Sequence, residues 1–165
     1  MRRKIILFAI ISIIGISSCQ QAKNGNKNNI PAQRAGTLFP KGYKISSSNF
    51  SGTVWLQMMI DNDSTLHARM GNVTFEPGAR TNWHVHPGGQ ILFITNGVGF
   101  YQEKGKAARL LNKGDFVEIP PNAVHWHGAA PDNELSHIAI SLNTDKGDAV
   151  WLQPVSDEAY RQSVK

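Results

Sequence analysis

Cysteine, net charge and long hydrophobic runs are all scarce in this chain, and each scarcity excludes a class of protein. Its 165 residues contain one cysteine, Cys19, so no disulfide can form within the chain. The apolar run at residues 5–16 is about a dozen residues long, well short of the roughly 20 that cross a bilayer as a helix. Packing of a hydrophobic core must therefore stabilise the part of the chain that folds.

The net charge is too small for a nucleic-acid-binding surface. The full chain carries a formal net charge of +5, and Arg2, Arg3 and Lys4 contribute three of its positive charges. Removal of residues 1–19 lowers the net charge to about +2. Nucleic-acid-binding domains display a clustered basic face, so nucleic acid is excluded as a partner.

The amino terminus has the layout of an export signal. A basic start, Met1–Lys4, precedes the apolar run, and small residues lead up to Cys19. Because Cys19 falls where cleavage is expected, residues 1–19 resemble a bacterial lipoprotein signal peptide, in which this cysteine becomes lipidated. The alternative is an ordinary signal peptide with an incidental cysteine. The lipoprotein interpretation predicts a membrane anchor at Cys19 and a periplasm-facing location in the bacterial cell envelope.

Residues 20–36 are rich in Asn, Lys, Gln and Gly, and they contain few apolar side chains. Such a segment cannot bury enough surface to fold, so we expect a disordered tether. The remaining length, residues 37–165, suits one domain with a hydrophobic core.

That domain has the sequence pattern of an all-β protein. Short β-favouring runs alternate with Gly, Pro, Asn and Asp turn signals, which is typical of a closed barrel or jelly roll. Asn96-Gly97 interrupts the longest run and predicts a tight turn or bulge. A short helix is expected at residues 156–163, with Ser156 as its N-cap. The predicted strands are 52–60, 66–75, 80–86, 90–102, 107–111, 116–119, 124–127, 135–142 and 150–152.

Histidines in this pattern indicate a metal site. His84 and His86 are two residues apart, so on a strand they share one face and can share one ion. Gln90 follows a Pro-Gly-Gly turn and can present its amide oxygen, while His125 supplies an imidazole from a distant strand. Three imidazoles and one amide leave coordination positions open for a ligand. His127 alternates with His125 and should also point inward, as a substrate-facing group or as a structural histidine.

The glycines and histidines are spaced as in the cupin superfamily. Its first motif, Gly-x5-His-x-His-x3-(acid or amide)-x6-Gly, is matched by Gly78, His84, His86, Gln90 and Gly97. Its second motif is matched by Gly114, Pro120 and His125, with Asn122 in place of the usual glycine. Asn also tolerates the left-handed conformation of such a turn. The resemblance implies a single-domain, jelly-roll-like β-barrel with a short C-terminal helix.

Residues 73–81, 83–87 and 125–131 further resemble the small bacterial cupins that include manganese-dependent hydroxynitrile lyases. This resemblance implies one divalent metal ion, with manganese as the first choice and iron, nickel or zinc as alternatives. It also implies a homodimer and a small-molecule substrate. The implied residues are the metal ligands His84, His86, Gln90 and His125, the catalytic residues His137 (as base) and His127, and the pocket wall Phe50, Gly71, Val73 and Ser141.

The function expected from these residues is that of a metal-dependent lyase or isomerase, which uses the ion as a Lewis acid and a histidine to move a proton. Two alternatives stay open: a metal-dependent dioxygenase of the cupin type, and a non-catalytic envelope protein that binds a small ligand. Other candidate residues are assigned to structure, namely Glu76, Glu118, the surface residue His67, and Trp83 and Trp126 as packing or dimer-interface residues.

Overall fold

A computed structural model describes residues 38–165, apart from the side chains of residues 62 and 63. The predicted signal peptide, Cys19 and the predicted tether lie outside the described residues and stay predictions. Within residues 38–165, no helix is both long and apolar enough to cross a membrane.

Strands dominate the described residues, as the sequence predicts. In chain order the elements are β1 (Tyr43–Lys44), β2 (Phe50–Ser51), β3 (Val54–Asp63), β4 (Ala68–Phe75), β5 (Arg80–Thr81), β6 (His84–Val85), β7 (Gln90–Glu103), β8 (Arg109–Asn112), β9 (Phe116–Ile119), β10 (His125–Ala129), β11 (Leu135–Leu142), a 3₁₀ turn (Thr144–Lys146), β12 (Val150–Trp151) and α1 (Asp157–Ser163). The prediction of an all-β barrel with a short C-terminal helix is confirmed.

Strand β7 connects the two sides of the barrel. Its first half pairs with β11 and β9, and its second half pairs with β10 and β8. From β11 one sheet continues through β4 and β3 to β1. From β10 the other continues to β5 and β2, while β6 pairs with both β10 and β12. The inner faces of these two curved layers enclose the core.

A bulge bends β7 at the predicted Asn96-Gly97 position. Ile94 pairs with His137 and Asn96 pairs with Ser136, which leaves Thr95 as an extra residue in β7. Gly97 has φ of 78°, and a Cβ there would lie 1.8 Å from the carbonyl oxygen of Glu134. The interruption is therefore a bulge within one long strand and not a hairpin turn. Bulges increase local bend and twist, which allows β7 to serve both sheets.

The core lies between the sheets, and α1 covers a second apolar cluster. The Ser156 hydroxyl accepts a hydrogen bond from the Ala159 N–H, which confirms the predicted N-cap. Tyr160 on α1 donates its hydroxyl to the Ala129 carbonyl at 2.6 Å and packs with Trp126, which is fully buried. Trp83 packs against the same cluster. Both tryptophans thus serve packing. The main core comprises Val54, Phe75, Ala79, Leu92, Ile94, Tyr101, Leu111, Val117, Ile119, Ala129 and Leu135.

Three polar residues that the sequence assigns to structure or surface lie outside the barrel interior. Glu76 accepts hydrogen bonds from the Lys41 ammonium and the Trp55 indole. Glu118 is exposed on β9. The side chain of His67 is 54% exposed beside Asp145.

Candidate metal centre and substrate pocket

Five of the chain's six histidines meet inside the barrel. They come from β6, from the turn after it, from β10 and from β11, so distant parts of the sequence form one cluster. None is more than 9% exposed. Water is therefore largely excluded from these rings. The five residues are His84, His86, His125, His127 and His137.

His84 and His125 form the closest pair. They are register partners across β6 and β10, and their ring centroids are 4.1 Å apart. His84 Nδ1 lies 3.0 Å from the Asn82 carbonyl oxygen, and His125 Nδ1 lies 2.9 Å from the Ala123 carbonyl oxygen. A carbonyl only accepts hydrogen bonds, so Nδ1 carries the proton in both rings. Each Nε2 is left with a free lone pair, as metal ligation requires.

Gln90 completes this donor group from the first position of β7. With its amide oxygen on this side, Oε1 lies 3.4 Å from His125 Nε2. Because this Nε2 carries no proton, two lone pairs face each other with no hydrogen between them. A cation placed between them would relieve this arrangement, so the residues present fit a metal ion.

The turn after β6 holds His86 beside this pair. The His86 carbonyl accepts hydrogen bonds from the N–H groups of Gly89 and Asn122, at 3.1 and 3.0 Å. Asn122 has φ of 62°, so it adopts the left-handed conformation expected where the motif usually has glycine. The ring of His86 lies 5.3 Å from that of His84. Its Nδ1 is 3.3 Å from the Ser141 hydroxyl.

The tightest group of ligand atoms differs in one member from the set implied by the sequence motif. Nitrogens of His84, His125 and His127 all lie within 4.8 Å of one another. The motif implies His86 in place of His127, and His86 sits at the edge of the same group. Alternation along β10 correctly placed His127 inside the barrel. The residue spacing carries no signal for which ring nitrogens come close enough to share an ion.

His127 and His137 form a second pair next to the donor group. His127 Nδ1 and His137 Nε2 are 3.3 Å apart, so one nitrogen donates to the other. Phe75 packs against both rings, with centroid distances of 5.6 Å. His137 is fully buried, and its Nδ1 makes no hydrogen bond of acceptable geometry with the described residues. The pair can hold a proton and pass it between its rings.

All five imidazoles are neutral at pH 7. Burial lowers the pKa of His86, His125 and His137 to about 4. Burial also lowers the pKa of His84 and His127 well below the usual value, and neighbouring imidazoles add to the effect. Neutral rings keep the lone pairs that bind a metal ion or accept a proton.

Two adjoining cavities give access to the cluster. The inner cavity, about 140 Å³, is lined by four of the five histidines and by Gln90 and Phe50. The outer cavity, about 260 Å³, is lined by Gly71 and Ser141, and Val73 lines both. All four residues predicted for the pocket wall therefore line a cavity.

Trp151 also lines both cavities, and the sequence did not identify it. Its ring stacks on His84 with centroids 4.7 Å apart, because β12 pairs with β6. Nothing in the sequence around β12 indicates that this strand pairs with β6. Only the folded structure could therefore identify Trp151 as a residue of the site.

Comparison with known proteins identifies the family. Residues 71–141 match the family model described as the Cupin domain. The chain is 42% identical over 113 residues to (R)-mandelonitrile lyase of Granulicella tundricola, a match that covers 68% of this chain and 86% of that protein. The chain belongs to the cupin family.

Further similarities fit this cupin. The crystal structure of a cupin-like protein from Thermotoga maritima is 55% identical, with a TM-score of 0.76, and the match covers 78% of this chain and 97% of that one. Acireductone dioxygenase of Bacillus mycoides is 30% identical over 66 residues, which is 38% of this chain and 39% of that protein. Sequence similarity therefore links this chain to proteins that are named for two different reactions.

Proposed function

We propose that this cupin is a metal-dependent lyase that acts on a small organic substrate, with chemistry like that of a hydroxynitrile lyase. The observation that carries the proposal is the group of buried, neutral imidazoles whose free nitrogens converge beside the Gln90 oxygen. The similarity to (R)-mandelonitrile lyase supports the same reaction class.

His84, His125 and Gln90, together with His86 or His127, would hold one divalent ion. These ligands are all neutral, so an ion bound by them would keep its full double charge and act as a Lewis acid toward a substrate oxygen or a departing anion. Manganese is the metal proposed, and iron, nickel and zinc suit the same imidazole and amide ligands.

His137 and His127 would accept and return the proton of the substrate hydroxyl. In cyanohydrin cleavage, a neutral imidazole takes the proton of the substrate hydroxyl, the carbon–carbon bond to the nitrile breaks, and an aldehyde and cyanide form. The protonated ring then returns the proton to cyanide, so the imidazole is neutral again. The contact between His137 Nε2 and His127 Nδ1 lets the two rings share that proton.

Mandelonitrile cleavage by wild type and His137→Asn tests this proposal. We expect manganese-loaded wild type to release benzaldehyde, and the variant to lose about 100-fold or more in rate while keeping its manganese. His67→Asn is the matched control, since His67 lies on the surface. Full activity in His137→Asn, or no cleavage by the loaded wild type, would contradict the proposal.

Dioxygenase activity is the second candidate, and the similarity to acireductone dioxygenase favours it. Iron or nickel in the same donor group would leave positions for an enediol and dioxygen. Oxygen uptake by protein of known metal content separates the two: a redox-silent ion with no uptake excludes the dioxygenase. Ligand binding that survives in His137→Ala, with no turnover in wild type, would instead indicate a non-catalytic binding protein.

We also propose that Cys19 anchors the cupin in the cell envelope, facing the periplasm, with residues 20–36 as a tether. Fractionation after labelling with a radioactive fatty acid tests this, because Cys19→Ala should lose both the label and the membrane association.

We propose a homodimer as well. Its support is the pair of register partners Phe93 and Phe116, which are 45% and 63% exposed on the outer face.

A further inference from the structure

The outer cavity is lined by a positively charged side chain, Arg69, that has no role in the proposed chemistry. Arg69 on β4 lines this cavity, together with apolar side chains such as Leu56 and Met58. Among the described residues that line the two cavities, it is the one side chain with a fixed positive charge. A cation beside an apolar pocket is well placed to recognise an anionic group of a ligand.

The strand register connects Arg69 to the metal donors. Arg69 pairs with Ser141, and Ser141 pairs with Gln90, so the three residues form one row across β4, β11 and β7. Register partners point to the same side of a sheet, and two strand spacings cover about 10 Å. Ser141 also contacts His86 through its hydroxyl. The row therefore leads from the donor group to the outer cavity.

The guanidinium of Arg69 has spare hydrogen-bonding capacity. Its Nε is inaccessible to solvent and has no hydrogen-bond partner among the described residues. Two contacts, from Nε to Asp61 and from Nη1 to Asp148, are both long at 3.5 Å. These two carboxylates are 77% and 83% exposed. Exposed ion pairs contribute little stability, so a carboxylate entering the cavity can replace the Asp148 contact with paired hydrogen bonds from the two Nη groups.

We propose that Arg69 binds a carboxylate of the substrate. The substrate class is then a small hydroxy or carbonyl acid, with its reacting oxygen at the histidine donors and its carboxylate a few bonds away at Arg69. Leu56, Val73 and Ala139 line both cavities and would contact its apolar part. This inference rests on the proposed function, because it assumes that the reacting oxygen binds at the donor group.

Mandelate and methyl mandelate are suitable probes, since they share a ring and a hydroxyl and differ in charge. Calorimetric titration of the manganese-loaded protein should give about tenfold or more tighter binding of mandelate. Arg69→Gln should abolish that preference. Arg109→Gln, an exposed arginine on β8 outside both cavities, should keep it. Asp148→Asn should strengthen mandelate binding, because it removes a competing carboxylate from Arg69.

Equal affinity of wild type for the acid and the ester would overturn the inference, and so would a preference that persists in Arg69→Gln. Thermal melting of each variant shows that the fold is intact, and titration of metal-free protein separates binding at Arg69 from chelation of the ion. The preference for mandelate over methyl mandelate is measured by binding alone and does not require the protein to catalyse a reaction. A preference that depends on Arg69 but comes with no lyase activity would overturn the proposed lyase and support the carboxylate site.

Discussion

Three histidines of the cluster are oriented by two kinds of hydrogen-bond partner. His84 and His125 each contact the carbonyl two residues earlier, which no substitution removes. His86 contacts the hydroxyl of Ser141 instead. The orientation of His86 therefore depends on one replaceable side chain, on the strand next to the one that carries Gln90.

Ser141→Ala should weaken metal binding without unfolding the protein. Loss of a group that orients a metal-bound histidine typically costs 10- to 100-fold in metal affinity, and we expect a loss of about that size. Ser141→Thr keeps the hydroxyl and should restore most of the affinity. Competition with a chelator measures the effect, and Thr144→Ala, in the same cavity, is the control. Unchanged affinity in Ser141→Ala would show that His86 needs no help from this hydroxyl.

Residue spacing predicted which side chains enter the barrel, but not how their rings are arranged. Alternation places His84 with His86 and His125 with His127, and all four are buried. The proton positions depend on backbone carbonyls that face the rings only after folding. Trp151 shows the same limit, because its contact with His84 comes from a pairing between strands some 65 residues apart in the sequence.

At the scale of elements, Gly97 is required by both its conformation and its surroundings. Gly97→Ala combines an unfavourable positive φ with a collision against the Glu134 carbonyl, so we expect a loss of about 2–4 kcal/mol in the free energy of unfolding. Gly105 also has a positive φ, 83°, but nothing lies within 4 Å of its added Cβ. Gly105→Ala should therefore lose only about 1–2 kcal/mol. Equal losses in urea denaturation would exclude the contact with Glu134 as the cause.

A charged cluster attaches the segment before β1 to the sheet, and it predicts a pH effect. Hydrogen bonds from Lys41 and Trp55 hold the pKa of the Glu76 carboxyl below its usual value, against the opposing effect of burial. A pKa that is lower in the folded state adds stability above the unfolded pKa of about 4.3, and this stability disappears as pH falls through the folded pKa.

Glu76→Gln should consequently be less stable than wild type at pH 7, and the difference should shrink as the pH falls below about 4.3 and vanish once Glu76 is protonated in the folded state. The side chain is 37% exposed, so we expect a difference below about 1 kcal/mol. Thermal unfolding across this pH range measures it, with the exposed Glu118→Gln as control. A gap that stays constant with pH would mean that packing of Glu76, and not its charge, stabilises the protein.

Turn residues and alternation predicted most strands, because each run is bounded by its own Gly, Pro or Asn signals. The short strands β1 and β2 were not predicted, and β5 and β6 were predicted as one strand over residues 80–86, since two residues carry no periodicity. The bulge at Asn96-Gly97 was predicted only as one of two possibilities. A sequence cannot distinguish a hairpin from a bulge where the partner strand decides the geometry, as β11 does here.

At the scale of the whole molecule, the outer face of the β9–β7–β11 sheet is the candidate surface for self-association. Light scattering after size-exclusion chromatography should give the mass of a dimer for wild type. Replacement of both Phe93 and Phe116 by Ser should shift the protein to a monomer, because it removes the exposed apolar patch. Leu110→Ser, an equally exposed apolar residue on β8, is the control. A monomeric wild type would contradict the dimer.

The hydrogen bonds from Gly89 and Asn122 to the His86 carbonyl join two parts of the chain more than thirty residues apart. The donors gathered around this junction exist together only in the folded barrel, so the unfolded chain has no comparable site. Any ion bound there stabilises the native state by mass action, by about 2.7 kcal/mol when its free concentration is 100 times the dissociation constant. The proposed metal site accordingly predicts that the cellular lifetime of this cupin depends on the supply of that metal, even in cells that lack the proposed substrate.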